Sequence, residues 1–199
     1  MIIGMRGHDF GRMEPRALAL AIREAGFEAT QLAFAKAFPA PAEQYMTPGA
    51  LSEIRSAFAG IVLPVMGCYV SASDRDPDVL AEAKARFKRF LSASVILGAG
   101  CVGTETTHFT FPESEREAAY ARLLDFTREV CAHAEQVHAL VGIEPVALHT
   151  LNTPELARRL IADVSSPNLR VILVTAILVT PGTAAPEAQM EILERALSC

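Results

Sequence analysis

Two glutamates stand where proton chemistry or metal binding is easiest to build. Glu144 is flanked by Val141, Ile143, Pro145 and Val146. A carboxylate in so apolar a stretch must be buried or line a pocket, and Glu is rarely buried without a partner or a metal. Glu105 ends the fourth β-rich segment, Cys101 to Glu105, where pairing with a nearby Lys or Arg is the plain alternative to a role at a site. Two carboxylates at one pocket suit acid–base work on a carbon next to a carbonyl, or the binding of a divalent ion. His8 and Asp9 follow the first apolar segment, Gln31 lies in the second, and His108 and His149 come shortly after the two glutamates. His8-Asp9 serves equally well as a polar cap for loop backbone, and His149 is evenly balanced between site and loop. His133 and His138 fall on the polar part of a helix and read as solvated.

The elements that must position these residues alternate strictly. Ile2 to Met5 reads as a strand, followed by a helix from about Glu14 to Ala25 with Pro15 in its first turn and Gly26 just past its end, the usual asymmetry of helix termini. Phe27 to Phe34 is a strand, Pro48 to Phe58 a helix, and Gly60 to Val70 a strand of near-continuous apolar character, as expected where both faces are buried. Pro64 counts mildly against it, having no ladder donor. A helix then runs from Asp76 to about Leu97, a strand from Cys101 to Glu105, a helix from about Glu113 to His138, and a strand from Leu140 to Leu148. Thr153-Pro154-Glu155 opens a helix to about Val164, Leu169 to Val174 or slightly beyond forms the sixth strand, and Pro186 to Leu197 the last helix. Six β-then-α units predict a parallel sheet with helices outside. A GxGxxG after the first strand and a GxxxxGK[ST] are both absent, which removes support from nucleotide-binding versions of that pattern.

Composition bounds the remaining classes. The chain has 199 residues, 51% hydrophobic and 21% charged, with net charge −5 and mean hydropathy +0.26, which predicts one globular domain rather than a disordered segment. The acidic balance and the lack of a basic stripe disfavour nucleic acid as partner. Val171 to Val179, the longest apolar run, is interrupted by Thr175 and falls far short of the roughly 20 residues a bilayer requires. No membrane partner is therefore expected, and a soluble, cytoplasmic protein is. Cys68, Cys101, Cys131 and Cys199 have no metal-finger spacing and read as free thiols.

The segments MRGHDF, FEATQLAF, LGAGCVGTET and VGIEPVALHTLNTPELARRLIADVSSPNLRVIL resemble the bacterial sugar phosphate isomerases/epimerases, the xylose isomerase-like TIM barrels, over nearly the whole chain. The resemblance implies a (β/α) TIM-barrel-type α/β fold in a single domain over 1–199, with about six of the eight units of a barrel of about 250 residues. It implies a divalent metal (Mn, Mg, Co or Zn) and proton transfer between adjacent sugar carbons. Glu144 matches a residue that is both metal ligand and catalytic acid–base, while Glu105 and His8 match substrate-binding positions, with His149 beside them. The expected substrate is a small sugar or sugar phosphate. Val174 stands where the family carries an aspartate ligand, so an incomplete metal shell is expected. A non-catalytic barrel that binds a small polyol or serves as an assembly partner is the alternative. A DNA-repair endonuclease of the same superfamily would need more metal donors than five histidines and this acidic balance supply. Open sheet edges predict a homo-oligomer in which a second copy covers them.

Overall fold

Each strand is short and each helix is stopped by a local signal. In the computed structural model, which describes residues 2–178, 182 and 185–197, the strands are β1 (Gly4–Arg6), β2 (Ala29–Gln31), β3 (Val65–Gly67), β4 (Cys101–Glu105), β5 (Val141–Glu144) and β6 (Leu169–Val171). The helices are α1 (Pro15–Glu24), α2 (Phe34–Ala37), α3 (Pro48–Ala57), α4 (Pro77–Leu97), α5 (Arg116–Val137), α6 (Pro154–Val164) and α7 (Pro186–Leu197). Thr47, Asp76 and Thr153 cap α3, α4 and α6 by accepting from Ala50, Asp78 and Leu156 backbone N–H groups, donors that a helix start otherwise leaves unpaired. Each of these three helices has Pro in its first turn, and α4 stops at Gly98 with φ of 71°, a left-handed conformation that glycine adopts without strain.

All strand pairs are parallel. β1 pairs with β2, and β3, β4, β5 and β6 follow in sequence order. Parallel bridges from Ala29 to Val62 and from Leu32 to Met66 join the two groups, with Thr30 N donating to Val62 O at 2.9 Å and Gly67 N to Leu32 O at 3.0 Å. The result is a curved run of six neighbouring strands with helices outside, the parallel sheet expected from the alternation and the partial barrel that the resemblance implies.

Several expected strands prove shorter. β2 stops at Gln31 because α2 begins at Phe34, and Phe34 and Phe38 drop into the core with ring centroids 4.9 Å apart. In the third segment Pro64 lacks an N–H, and ladder pairing is confined to Val65–Gly67 plus the bridge at Val62. β5 ends at Glu144, immediately before Pro145, and β6 ends at Val171, after which the chain turns into a 3-10 segment at Thr175–Leu178. α5 starts at Arg116, preceded by a 3-10 turn at Glu113–Glu115. The end of the Val171 to Val179 run and Cys199 lie outside the described residues. Cys68, Cys101 and Cys131 are free, and burial pushes the Cys68 and Cys131 thiols up to about 12, so they are inert packing groups. No helix among the described residues is long and apolar enough to cross a membrane.

The core lies between the sheet and the helices. Leu80, Phe87 and Leu91 of α4 meet Leu123, Phe126 and Val130 of α5 and the β4–β5 residues Val102, Val141 and Ile143. Phe87 is fully buried and packs edge-on against Phe126, ring centroids 5.6 Å apart. Replacing it with alanine leaves a void at the α4–α5 contact, and we expect a loss of about 3–5 kcal/mol in denaturant unfolding. A loss below 1 kcal/mol would show that this contact does not anchor the layer.

Candidate functional site

The register of β4 against β5 builds the site. Gly103 pairs with Gly142, and Glu105 pairs with Glu144 two residues further on. Because side chains alternate along a strand, each pair shares one face. A Cβ at Gly103 or at Gly142 would lie within 2.7 Å of Ile172 Cδ1, so that face is the interior of the curved sheet, with Ile172 lying over the glycines. Glu105 and Glu144 therefore emerge side by side above Ile172, at the carboxyl ends of their strands.

Tyr69, two residues after β3, stands over the same face, and its ring is 3.1 Å from where a Gly67 Cβ would be. Gln31, the last residue of β2, donates from Nε2 to the Tyr69 hydroxyl at 2.9 Å. Lys36 of α2 places its ammonium 3.8 Å from the centre of the Tyr69 ring, a cation–π contact. It makes no ion pair among the described residues. Arg6, in register with Gln31 on β1, is paired with Asp9 at 3.0 Å. Positive charge from Arg6 of β1 and Lys36 of α2 thus lies opposite the two carboxylates.

The charges are unevenly balanced. Glu144 is only 8% exposed. Burial, and then the neighbouring Glu105, push its carboxyl from 4.5 up to about 7, with Lys36 and Arg6 opposing. Burial also raises the Tyr69 hydroxyl, helped by both glutamates. His149 reaches over from the loop after β5, with Nε2 3.8 Å from Glu105 Oε2. Burial lowers it below the ordinary histidine value, against the pull of Glu105, so it is neutral at pH 7. Its Nδ1 is buried without a hydrogen-bond partner among the described residues.

The structure thus brings Glu105, Glu144 and His149 together. His8 lies in the 3-10 turn at Gly7–Phe10 after β1, beside Arg6 and Lys36, and burial lowers it as well. His108 joins the group as a ring neighbour of His149, centroids 5.7 Å apart. His133 lies 3.1 Å from Ser92 Oγ on the outer helices, and His138 ends α5, so both are remote from the site, as the polar-face reading expects. Tyr69 and Lys36 are the residues that sequence reasoning missed. Tyr69 follows the third strand in Gly67-Cys68-Tyr69, and an aromatic hydroxyl at a strand end was the available signal. Lys36 lies within what reads as loop, and nothing in the sequence marks it.

The donors do not make a metal shell. Among the described residues no group of three or more His, Cys, Asp or Glu is placed to hold an ion. Val174, at the expected aspartate position, is 37% exposed and offers no ligand. Glu144 is a single carboxylate donor, with Glu105 beside it and ammonium and guanidinium groups opposite.

The raised Glu144 carboxyl has a consequence for stability. The folded chain holds this proton more tightly than the unfolded chain does. Its contribution to stability is present below the ordinary carboxyl range and is lost as pH rises from about 4.5 through about 7. Glu144→Gln removes that dependence, so relative to wild type the variant should gain about 2–3 kcal/mol between pH 5 and pH 8. Parallel stability curves for the two proteins would contradict it.

The comparisons agree with this architecture. Residues 19–195 match the family model described as xylose isomerase-like TIM barrel. No curated protein matched the sequence. Among solved structures, 3-keto-D-glucoside 4-epimerase from E. coli superposes with a TM-score of 0.78 at 16% identity, covering 98% of this chain and 76% of its own. D-psicose 3-epimerase, crystallised in the presence of D-fructose, gives 0.72 at 21% identity, covering 88% and 64%. The IOLI protein with a bound zinc atom gives 0.74 at 17% identity, covering 95% and 70%. At these identities the likeness is one of fold, and the chain spans only part of each structure. The family match across most of the chain, together with six parallel β–α units and carboxylates at the strand ends, shows that this protein belongs to the xylose isomerase-like TIM barrel family.

Proposed function

We propose that the chain binds a small sugar or sugar phosphate above β4 and β5 and moves a proton between adjacent carbons, the chemistry of an isomerase or epimerase. One observation carries this reading. Glu144 is buried beside a second carboxylate and titrates at about 7, so near neutral pH it exists as both base and acid, the condition in which one group can take a proton and return it. As carboxylate it removes the proton from a carbon next to a carbonyl. The C–H electron pair moves into a carbon–carbon double bond, and the carbonyl oxygen takes up the negative charge as an enediolate. Returning the proton to the neighbouring carbon, while the proton of the first carbon's hydroxyl passes to the oxyanion so that the carbonyl re-forms one carbon along, completes an isomerisation; delivery to the opposite face of the same carbon completes an epimerisation and needs a second acid.

The surrounding residues fit the other tasks. Lys36, held on Tyr69 without a carboxylate partner, supplies positive charge for the developing oxyanion. Glu105 and the Tyr69–Gln31 pair bind hydroxyls, with His8 and His149 at the edges of the same mouth. Two of the solved structures of similar fold are described as epimerases of sugar substrates, one crystallised in the presence of D-fructose, which supports the substrate class. The divalent ion of the family remains a proposal resting on Glu144, and the steps above use the chain's own groups. The incomplete donor set favours a second reading, a barrel that binds a polyol without turning it over.

Isotope exchange separates the two. Wild type in D2O with a panel of ketoses and their phosphates should incorporate deuterium at one carbon, and Glu144→Gln should lose on the order of 100-fold or more. Repeating the exchange with a chelator and with added Mn2+ reports on the ion. Binding by calorimetry with no exchange in any sugar would replace the catalytic reading with the binding one.

The reading also takes the protein to be a homo-oligomer. Ile2 and Ile3, just before β1, are 57% and 63% exposed, Val62 beyond β2 is 47% exposed, and Ile2 and Val62 line one cleft of about 440 Å3. Exposed apolar groups so placed favour a second copy against them. Light scattering at micromolar concentration should give a dimer or larger, and a clean monomer would rule this out.

A further inference from the structure

The loops after β3, β4 and β5 carry the rim of the site, and they are laced together from below by α5. Thr150 N donates to Thr107 O at 3.0 Å, Phe109 N to Leu148 O at 2.9 Å, and Leu151 N to Thr106 Oγ1 at 3.2 Å. Ser73, in the loop after β3, joins both others. Its N–H donates to Thr107 Oγ1 at 2.7 Å, and its hydroxyl shares a 2.7 Å hydrogen bond with the Thr150 hydroxyl. Two arginines of α5 reach up into this knot. Arg122 Nε donates to Ser73 O at 3.0 Å. Arg116 Nη1 donates to two successive carbonyls, His149 O at 3.1 Å and Thr150 O at 3.0 Å.

Arg116 is fixed from every side. Its remaining guanidinium donors go to both carboxylate oxygens of Glu113, its plane lies 4.1 Å from the centre of the Phe109 ring, and its side chain is 14% exposed. A guanidinium that grips two consecutive carbonyls sets the orientation of the peptide between them, something a lysine point charge does not do. That peptide follows His149, whose Nε2 stands 3.8 Å from Glu105 Oε2, just beyond hydrogen-bond range. Glu105 therefore has Glu144 beside it on the sheet and His149 beside it on the loop. A shift of well under 1 Å in that loop decides whether the histidine is engaged.

We propose that Arg116 is a positioning residue of the site: by clamping the His149 and Thr150 carbonyls it holds the His149 ring against Glu105 and locks the loops after β4 and β5 into one body. Its kinetic consequence rests on the proton-transfer reading above, whereas its structural consequence does not. Arg116→Lys keeps the charge and loses the two-carbonyl grip, and Arg116→Gln loses both. The His149 ring signal, assigned by its loss in His149→Asn, is followed by NMR through a pH titration, with His133 on the outer face of α5 as an internal control of folding.

In both variants the His149 midpoint should rise towards the ordinary histidine value of about 6.5 as the ring leaves its buried place, with His133 unchanged. Isotope exchange should lose on the order of tenfold in kcat with a smaller change in KM. A His149 signal and midpoint identical to wild type in Arg116→Lys and Arg116→Gln would overturn the proposal, whatever the exchange rate does. Exchange absent already in the wild type would sink the proton-transfer reading instead, and the NMR titration would still decide this one.

Discussion

The pairing of Glu105 with Glu144 across β4 and β5 is the constraint on which the site depends. Neighbouring parallel strands lie about 5 Å apart, so two carboxylates in register on one face repel each other when both are ionised. The fold answers by exposing one and burying the other. Glu105 stays half-open to solvent beside His149, while Glu144 sinks to the last position before Pro145 and holds its proton into the neutral range. The two groups have the same chemistry and are direct register partners, and burial is what sets Glu144 apart.

Positive charge completes the balance from the opposite rim. Lys36 and Arg6 both favour the ionised form of Glu144 without reaching it as ion-pair partners. Each is held by something else, Lys36 by the face of Tyr69 and Arg6 by Asp9. The gap between the acidic and basic rims is thus kept open by contacts that lie outside it. Above it, the hydroxyl and carbonyl network of Ser73, Thr107 and Thr150, gripped by two arginines of α5, ties the rim to one of the best-packed helices of the core. The rim groups are carried on loops, yet the loops borrow the rigidity of the α4–α5 layer.

Much of the architecture was legible in the chain because helix stops and starts are local. Pro15, Pro48, Pro77 and Pro154 mark helix beginnings and Gly26 and Gly98 the ends, and the structure follows them within a residue or two. Strand lengths were not legible, since ladder pairing depends on the neighbour: apolar runs such as Gly60 to Val70 supply far more β-type residues than the curved sheet uses. Glu144 announced itself through the apolar residues around it, because burying a charge leaves a trace in composition. Lys36 left none. Its role comes from α2, a single turn inserted where the sequence reads as loop, which lifts the ammonium over a tyrosine more than thirty positions away. Arg116 was similarly silent, since its partners are backbone carbonyls, and these have no sequence signature.

Ile172 gives the interior of the barrel its depth. By filling the space that Gly103 and Gly142 leave empty, its side chain lays an apolar floor directly beneath the two carboxylates. From the strand ends inward, the carboxylates come first and hydrocarbon lies one layer down. The width of the bowl is set by loops and can drift, but its depth is set by one side chain resting on two missing ones. Any lineage that enlarged either glycine would have to move that floor, and with it the depth of the space beneath Glu144.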